Sequence, residues 1–331
     1  MRQAPFVQPP QGKGLPRLIN RLERFIDRTV YCTLQGRDRS WLSHRYIVQC
    51  FGERSVDVAA VEFSLGLEKQ VPIIMRQLGI PYVLFMHNIE FLVPRERHAE
   101  QTGRDFILER DAIEGAVHCV AISNTDARVA GIFNQSVSVL PYFPSKRDAA
   151  RFHNIFGLRE AADRHHKQAT FVIMGTVGNW PTLVGMRELL ERVCNRYRLE
   201  DAIKFKIAGY NTEQYFTDVG CCQVLGSIAD AELDKLLVDC AAVIIQQAPT
   251  SGFLTRLVEF NLAGVPVAVN RGYDQAVGME KMGIFTYESF AELEELLPRL
   301  MATRRFERFD EPRPDDLGAL REIFDRGNPH Q

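Results

Sequence analysis

The feature that most constrains the fold is an alternation of short apolar runs with longer amphipathic segments. Pro81–Met86 and Val117–Ile122 have the length and composition of buried strands, and Arg104–Gly115 between them has helical spacing. This order is typical of parallel sheets that helices cover on both faces. The alternation stops in a polar stretch from Ser145 to Gln168 and resumes at Thr170. We therefore predict an α/β protein with two Rossmann-like, doubly wound parallel-sheet domains that face each other across a cleft.

The polar stretch sets the domain boundaries that we expect. The first domain would span residues 1–145 and the second 146–311, with a helical segment in 312–331 that packs back on the first. Further strands are predicted at Ser55–Val61, Val137–Leu140, Thr170–Met174, Ile203–Ala208, Gln223–Leu225, Ala241–Ile245 and Pro266–Asn270. Further helices are predicted at Leu67–Leu78, Asn124–Phe133 (with Asn124 as its cap), Thr182–Arg196, Asp230–Asp239, Phe253–Ala263, Ser289–Thr303 and Asp316–Asp325.

Composition excludes several classes of protein. The 331 residues are 46% hydrophobic and 25% charged, which is ordinary for a soluble globular protein and rules out collagen-like, disordered and disulfide-scaffold chains. The 40 basic and 42 acidic residues nearly balance, so we expect no nucleic-acid partner. No apolar run approaches the ~18 residues of a membrane span, and no secretory signal is visible. The seven cysteines form no C-x-x-C pair, so we expect reduced thiols in the cytoplasm.

Residues 15–28 form a basic amphipathic segment. Its apolar residues recur at helical spacing, and four arginines share another face (Arg17, Arg21, Arg24 and Arg28). We favour a helix whose apolar stripe packs on the first sheet while the arginines face water. The alternative is peripheral contact with the anionic headgroups of the inner membrane face.

Two segments of the second domain have the form of anion sites. Gly175 to Pro181 is a strand, a glycine turn and a helix start, where backbone N–H groups approach a phosphate; a structural tight turn is the alternative. In the other, a strand ends near Gln246 and a helix begins near Phe253, so Arg256 would lie in its first turn. Its guanidinium suits a diphosphate, and the carboxylate of Glu259 on the same face could accept two ribose hydroxyls. An exposed i,i+3 Arg–Glu pair explains the spacing equally well.

In the first domain, His87-Asn88-Ile89-Glu90 directly follows an apolar strand. The carboxyl ends of strands are where α/β folds place their chemistry, although a turn histidine is the commoner explanation. We find no H-E-x-x-H, no D-x-D after a strand and no other metal-ligand spacing, so no metal site is predicted.

These segments, in this order, resemble glycosyltransferase family 4, whose members are retaining, nucleotide-sugar-dependent enzymes of the GT-B fold. The similarity extends from Val56 to Ala291. The resembling stretches are Val56–Glu62, His87–Glu90, Glu109 with Val120–Asp126, Val139–Pro141, Gly175–Pro181, Ile207–Gly209, Gly226–Asp230 and Gly252–Val267.

The resemblance implies a function and a set of site residues. The function is sugar transfer, with retention, from a UDP- or GDP-linked donor bound by the second domain to a glycan, lipid-linked or other acceptor on the first. It assigns the ribose to Glu259, the transferred sugar to His87, and the diphosphate to Arg256. The further donor-binding positions are Phe253, Leu254 and Thr255 for the diphosphate, Gly226, Ser227 and Ile228 for the base, and Gly175 and Thr176 for the phosphates or sugar. Neither a cofactor nor a metal is implied.

The chain departs from the family pattern at three places. Ser251 stands where many members have a glutamate that contacts the donor sugar, beside Gly252 of the donor loop. Gly178–Trp180 lacks the family's basic residue, and Pro5–Val7 is a poor first strand, so the first domain looks abbreviated. The alternative function is a catalytically degenerate relative that serves as a nucleotide-binding or partner subunit. A sugar-nucleotide epimerase is less favoured, because no carboxylate constellation suits proton abstraction from a sugar carbon.

Overall fold

The computed structural model describes residues 56–63, 71–93, 99–162, 169–196, 202–218, 220–248, 252–270, 276, 278–311 and 318. The expectations on Pro5–Val7, on the segment 15–28, on Ser251 and on 312–331 (Gly318 apart) therefore lie outside the described residues. The abbreviated start and the membrane contact remain predictions. In the described ranges, no helix is both long enough and apolar enough to cross a bilayer.

The first sheet has four parallel strands in the order β1-β2-β3-β4. They are β1 (Ala59–Phe63), β2 (Tyr82–Met86), β3 (His118–Ala121) and β4 (Val137–Val139). The helices between them are α1 (Val71–Gln77), α2 (Ala99–Gly115) and α3 (Asn124–Ala130), and a 3-10 turn follows β2 at Glu90–Leu92. Leu84 and Val83 of β2 lie in separate apolar clusters on the two faces of the sheet. Because both faces are covered, the sequence of this strand is a continuous apolar run.

The second sheet has six parallel strands in the order β10-β9-β8-β5-β6-β7. They are β5 (Ala169–Met174), β6 (Ile203–Ala208), β7 (Cys222–Gly226), β8 (Ala242–Ile245), β9 (Val267–Asn270) and β10 (Ile284–Tyr287). Counted from β5, this is the doubly wound order in which the winding direction reverses between the first and fourth strands. Ligands of such sheets bind at that reversal, outside the carboxyl ends of the strands. Here the reversal lies between β5 and β8.

Helices cover both faces of the second sheet. They are α4 (Lys146–Ala161), α5 (Trp180–Arg192), α6 (Thr212–Tyr215), α7 (Asp230–Asp239), α8 (Thr255–Leu262) and α9 (Phe290–Ala302). One apolar cluster joins α4, α7 and α8 to alternate strand residues such as Val172, and the other joins α5 and α9 to their neighbours such as Phe171. The predicted two-sheet α/β architecture is confirmed.

The predicted strands and helices are confirmed wherever the structure describes them, with ends that differ by a few residues. The predicted cap of α3 was wrong. Ser123, not Asn124, caps this helix, since its hydroxyl oxygen accepts the Asp126 N–H at 3.0 Å. The helix predicted from Phe253 begins at Thr255. The strand β10 was missed.

The composition of the polar stretch from Ser145 to Gln168 predicted an interruption of the secondary structure. That prediction was wrong, because α4 occupies most of the stretch. The helix packs Phe152 and Ile155 into the core of the second sheet. Its Arg159 is 1% exposed and donates to the carbonyl oxygens of Cys240 and Gly264, both at 2.9 Å. These carbonyls follow α7 and α8, so one buried guanidinium binds the carboxyl ends of both helices to α4. The division at residue 145 remains a prediction.

Candidate functional site

The candidate site lies where β5 and β8 end and the sheet reverses direction. A side chain at Gly175, directly after β5, would overlap the Thr182 methyl group and lie 3.0 Å from the Met186 sulfur. A Cβ at Gly209, after β6, would overlap the carbonyl oxygen of Gly175. Glycine at both positions therefore lets α5 and the β6 loop approach the turn after β5. The phosphate-contacting role of Gly175 and Thr176 stays a prediction, but their place at the reversal is as expected.

The start of α8 brings backbone N–H groups to this site. Its N-cap position is Leu254, whose side chain forms no capping hydrogen bond. The first N–H groups of a helix have no i−4 carbonyl to bond. Here the Leu257 N–H donates to the Leu254 carbonyl at 2.9 Å, and among the described residues no side chain at the N-cap satisfies the N–H groups before it. Phe253 and Leu254 lie in the preceding loop and pack partly against the core. The first two residues of the helix are thus Thr255 and Arg256, and anion binding there remains a prediction.

Arg256 is a half-buried cation beside these N–H groups. Its Nη2 donates to the hydroxyl oxygen of Thr176 at 3.4 Å, which links α8 to the turn after β5. Among the residues that the structure describes, no carboxylate lies within 4.0 Å of its guanidinium. Burial lowers the pKa of Arg256, and the charge of Glu259 opposes that shift. A partly desolvated guanidinium without an ion pair is stabilised by an anion beside it.

Glu259 has a partner that the sequence did not reveal. The hydroxyl of Tyr142, in the segment between β4 and α4, donates to Glu259 Oε1 at 2.9 Å. Burial and this carboxylate both raise the pKa of Tyr142, so the phenol keeps its proton and acts as a donor. Glu259 and Arg256 are both half-buried and form no ion pair. The alternative of an exposed Arg–Glu pair is therefore wrong.

The loop after β7 contains the three positions expected to contact a base. Gly226 has φ +73°, and its carbonyl accepts the Gly209 N–H at 3.0 Å. The Ser227 N–H donates to Glu213 Oε2 at 3.2 Å, and the Ser227 hydroxyl accepts the Asn211 N–H at 3.2 Å. These bonds hold the loop in place, but they also engage the Gly226 carbonyl and the N–H and hydroxyl groups of Ser227. Backbone recognition of a base would therefore fall mainly to Ile228, and it remains a prediction.

His87 lies directly after β2 of the first sheet. Its Nε2 lies 3.3 Å from Glu62 Oε1 at the end of β1, and both side chains are exposed. A Cβ on Gly252 would lie 3.1 Å from the His87 carbonyl oxygen and 2.9 Å from the Asn88 Cβ. The loop after β2 thus touches the loop before α8. The structure brings His87, Gly252 and the start of α8 together.

Asn88 contributes an unusual polar atom to this contact. Its Oδ1 is buried and has no hydrogen-bond partner among the described residues. Buried acceptors are nearly always hydrogen-bonded in native structures, so this one is an exception within the contact between the two loops. The sequence showed Asn88 only as part of a motif.

Two buried carboxylates hold the loop after β2. Glu109 of α2 accepts the N–H groups of Glu90 and Phe91, both at 2.8 Å. Asp126 of α3 accepts the N–H groups of Ile89 and Gly252, the latter at 3.4 Å, and the Ser123 hydroxyl at 2.6 Å. Asp126 therefore binds the loops of both sheets at once. The sequence showed Glu109 and Asp126 as parts of the resembling stretches, but it did not show that they hold these loops.

The substitution Gly252→Ala tests the contact between the two loops. The residue has φ +91°, where alanine is strained, and its methyl group would meet Asn88 and the His87 carbonyl. We expect urea unfolding to show a loss of about 1–3 kcal/mol. Gly278→Ala is the control, because Gly278 has φ +82° but, among the described residues, no atom within 4 Å of the position that an alanine methyl group would occupy. Equal losses in the two variants would show that the loops do not press on each other.

The substitution Glu109→Gln tests the buried carboxylate through pH. Burial raises the pKa of Glu109 from 4.5 to about 7. The folded protein keeps this proton up to about pH 7, whereas the unfolded chain releases it near pH 4.5. The unfolding free energy due to this group therefore falls as pH rises across that window and is constant above it.

We expect this fall to be missing in Glu109→Gln, as measured by chemical denaturation at several pH values. Glu114→Gln is the control, because Glu114 lies on the same helix and is exposed. A Glu109→Gln protein with the same pH slope as the unsubstituted protein would contradict the assignment.

Within the described ranges, no three His, Cys, Asp or Glu side chains converge as metal ligands would. A cavity of about 380 Å³ opens at the carboxyl ends of β8 to β10, between α5 and α9. Its walls include Glu188, Gln246 and Tyr287, and neither Arg256 nor Glu259. It lies on the sheet face opposite α8 and adds nothing to the site described above.

Comparison with known proteins identifies the fold. No protein-family model and no curated protein matches the chain. Among solved structures, Anabaena Alr3699/HepE in complex with UDP-glucose has a TM-score of 0.55 at 16% identity, covering 86% of this chain and 81% of that one. The catalytic domain of Arabidopsis thaliana starch synthase IV, bound to ADP and acarbose, has 0.55 at 11%, covering 87% and 76%.

A third similar structure is the UDP-forming α,α-trehalose-phosphate synthase of Burkholderia xenovorans in complex with glucose-6-phosphate. Its TM-score is 0.55 at 12% identity, covering 86% of this chain and 72% of that one. At such identities the similarity concerns the fold alone, and it is the GT-B fold of two parallel-sheet domains.

Proposed function

We propose that this protein is a retaining glycosyltransferase whose donor is a nucleotide diphosphate sugar of the UDP or GDP type. The observation that carries the proposal is Arg256: a half-buried guanidinium with no ion pair among the described residues, at an uncapped helix start beside Glu259. Such a group requires an anion, and a diphosphate meets both the guanidinium and the free N–H groups. The UDP and UDP-glucose complexes of the structurally similar Anabaena protein support a nucleotide sugar.

Glu259 is proposed to bind the ribose. Tyr142 already donates to its Oε1, which leaves further lone pairs for the hydroxyl groups of the sugar. The base would lie against the loop at Gly226–Ile228, and the sugar would face the first sheet. There, the exposed imidazole of His87 is proposed to hydrogen-bond a sugar hydroxyl.

The chemistry follows from the charge that develops on the leaving group. As the bond from the sugar C1 to the phosphate oxygen breaks, negative charge grows on the nucleoside diphosphate. Arg256 and the N–H groups of α8 are aimed at that charge before the reaction, and each such donor is worth about 10²–10³ in rate. The acceptor oxygen bonds to C1 on the same face, and its proton passes to the departing phosphate oxygen. We expect these donors to balance the charge without a metal ion.

The acceptor is proposed to be a glycan or a lipid-linked sugar, bound by the first domain. A degenerate, nucleotide-binding partner subunit is the second candidate. One observation favours it: Ser251 replaces the glutamate that contacts the donor sugar in many members of the resembled family. Binding and turnover separate the two candidates.

The test is thermal and chemical unfolding of the full chain with a panel of UDP-, GDP- and ADP-sugars. A donor at 100 times its Kd should stabilise the folded protein by about 2.7 kcal/mol. Release of the free nucleoside diphosphate with an acceptor, and NMR of the product's anomeric configuration, would establish transfer with retention. Stabilisation without turnover on any acceptor would support the partner subunit. No stabilisation by any nucleotide would contradict both.

A further inference from the structure

A second cavity lies at the amino ends of the strands of the second sheet, opposite the candidate donor site. It has a volume of about 330 Å³ and opens between α4, the turn after α8 and the segment that follows α9. Gly264 lines it and precedes β9, so it opens at the amino ends of the strands, whereas the donor site is at their carboxyl ends. The other lining residues are Phe156, Glu160, Arg304, Arg305, Phe306 and Arg308. We call this cavity the arginine pocket.

The arginine pocket has an excess of positive charge. Three of its lining side chains are arginines, and Glu160 is the one carboxylate among its described lining residues. In the part of the chain that the structure describes, no carboxylate lies within 4.0 Å of Arg304, Arg305 or Arg308. Burial lowers the pKa of Arg159 in the core nearby, and the charge of Arg304 lowers it further. Glu160 acts electrostatically on Arg308, so the pocket holds three arginines and one carboxylate around a concave space.

The segment that carries these arginines is fixed in place. Asn261 of α8 is fully buried; its Nδ2 donates to the Glu307 carbonyl and its Oδ1 accepts the Phe309 N–H, both at 2.9 Å. The Glu307 N–H donates to the Lys281 carbonyl at 2.8 Å. These bonds join the backbone on both sides of Arg308 to the domain core. A fixed backbone lowers the entropy lost when a ligand binds.

One of the arginines is also oriented by an aromatic ring. The Arg308 guanidinium lies 3.2 Å from the centroid of the Phe156 ring, and its Nη1 donates to the Leu262 carbonyl at 3.5 Å. Stacking on one face leaves the in-plane N–H donors of a guanidinium free for an anion. The pocket thus combines a planar donor group with two exposed cations, Arg304 and Arg305.

We propose that the arginine pocket binds the phosphate group of a small soluble phosphate ester. Arginines form bidentate hydrogen bonds with phosphate oxygens, and the aromatic rings of Phe156 and Phe306 offer an apolar wall to the rest of the ligand. The volume is at the lower end of small-molecule sites, which suits a compact ligand rather than an extended polyanion. The site is separate from the proposed donor site and does not depend on it.

The experiment measures binding of inorganic phosphate to the full chain by ³¹P NMR in chloride buffer. Arg256→Gln serves as the background, because it weakens any phosphate binding at the donor site. We expect saturable binding that falls at least tenfold when Arg304→Gln and Arg305→Gln are added together. Arg192→Gln, an exposed arginine at the end of α5, is the control and should leave binding unchanged.

Stabilisation by a nucleotide sugar, measured on the Arg304→Gln/Arg305→Gln protein with Arg256 intact, tests the donor site separately. Loss of phosphate binding with nucleotide stabilisation retained supports the arginine pocket. Phosphate binding that is unchanged by the double substitution would overturn it, whatever the nucleotides do. A protein that binds vesicles of phosphatidylglycerol and phosphatidylcholine through these arginines, but not free phosphate, would also overturn it.

Discussion

Replacing Arg256 with glutamine is expected to lower the rate of glycosyl transfer by about 10²-fold or more. The guanidinium has no ion pair among the described residues, and its contact with Thr176 is a long 3.4 Å hydrogen bond. It is therefore available to the diphosphate, whose negative charge is largest as the sugar leaves. Glutamine keeps part of the side-chain volume and removes the charge. Initial rates of nucleoside diphosphate release, with the donor that stabilises the protein best, measure the effect.

Two further variants make this result specific. Arg192→Gln removes an exposed arginine from α5 and should leave the rate unchanged. Arg256→Lys keeps the charge but lacks the planar fork of donors, so we expect it to fall between the unsubstituted protein and Arg256→Gln. Full activity in Arg256→Gln would refute the proposed donor site, since no other described group fulfils the same role at the start of α8.

Replacing Arg159 with leucine is expected to lower the free energy of unfolding by about 1–3 kcal/mol. Its guanidinium donates to the carbonyl oxygens of Leu237, Val238, Cys240 and Gly264. Leucine would remove this donor from the carbonyl oxygens of Cys240 and Gly264, at the ends of α7 and α8. Urea unfolding, followed by circular dichroism, measures the loss.

The matched control lies on the same helix. Arg151 binds Asp230 and Asp234 of α7 in partly exposed ion pairs. Pairs of this kind contribute about 0–1 kcal/mol, so Arg151→Leu should have a small effect. If Arg159→Leu proved no less stable than Arg151→Leu, the buried guanidinium would not be what joins these helices.

The sequence was sufficient where one element alone determines the geometry. Arg256 and Glu259 share a helix, so their common face and their place near its start follow from spacing. The relation of Glu259 to Tyr142 does not, because the two residues are 117 positions apart and meet only through the fold. The same holds for Asp126, whose partner Gly252 lies in the loop that joins β8 of the other sheet to α8.

The missed elements have physical causes too. In α4 the buried stripe Ala149, Phe152, Ile155 continues with Arg159, and a charged residue at a core position hides the apolar period. The strand β10 is at the edge of the sheet, where it pairs with β9 alone among the described strands, and it contains Thr286, so it lacks the all-apolar run of a central strand such as β8. Both elements depend on tertiary contacts more than on their own residues.

The strand order also determines when this sheet can form during synthesis. The central strand β5 pairs with β6 on one side and with β8 on the other, and its Phe171 is opposite Ala242. Roughly seventy residues must therefore leave the ribosome before β5 gains its second neighbour, and pairings this distant form slowly. Until then its apolar edge is uncovered. Since the candidate donor site lies between β5 and β8, it comes into being only at that late step of folding.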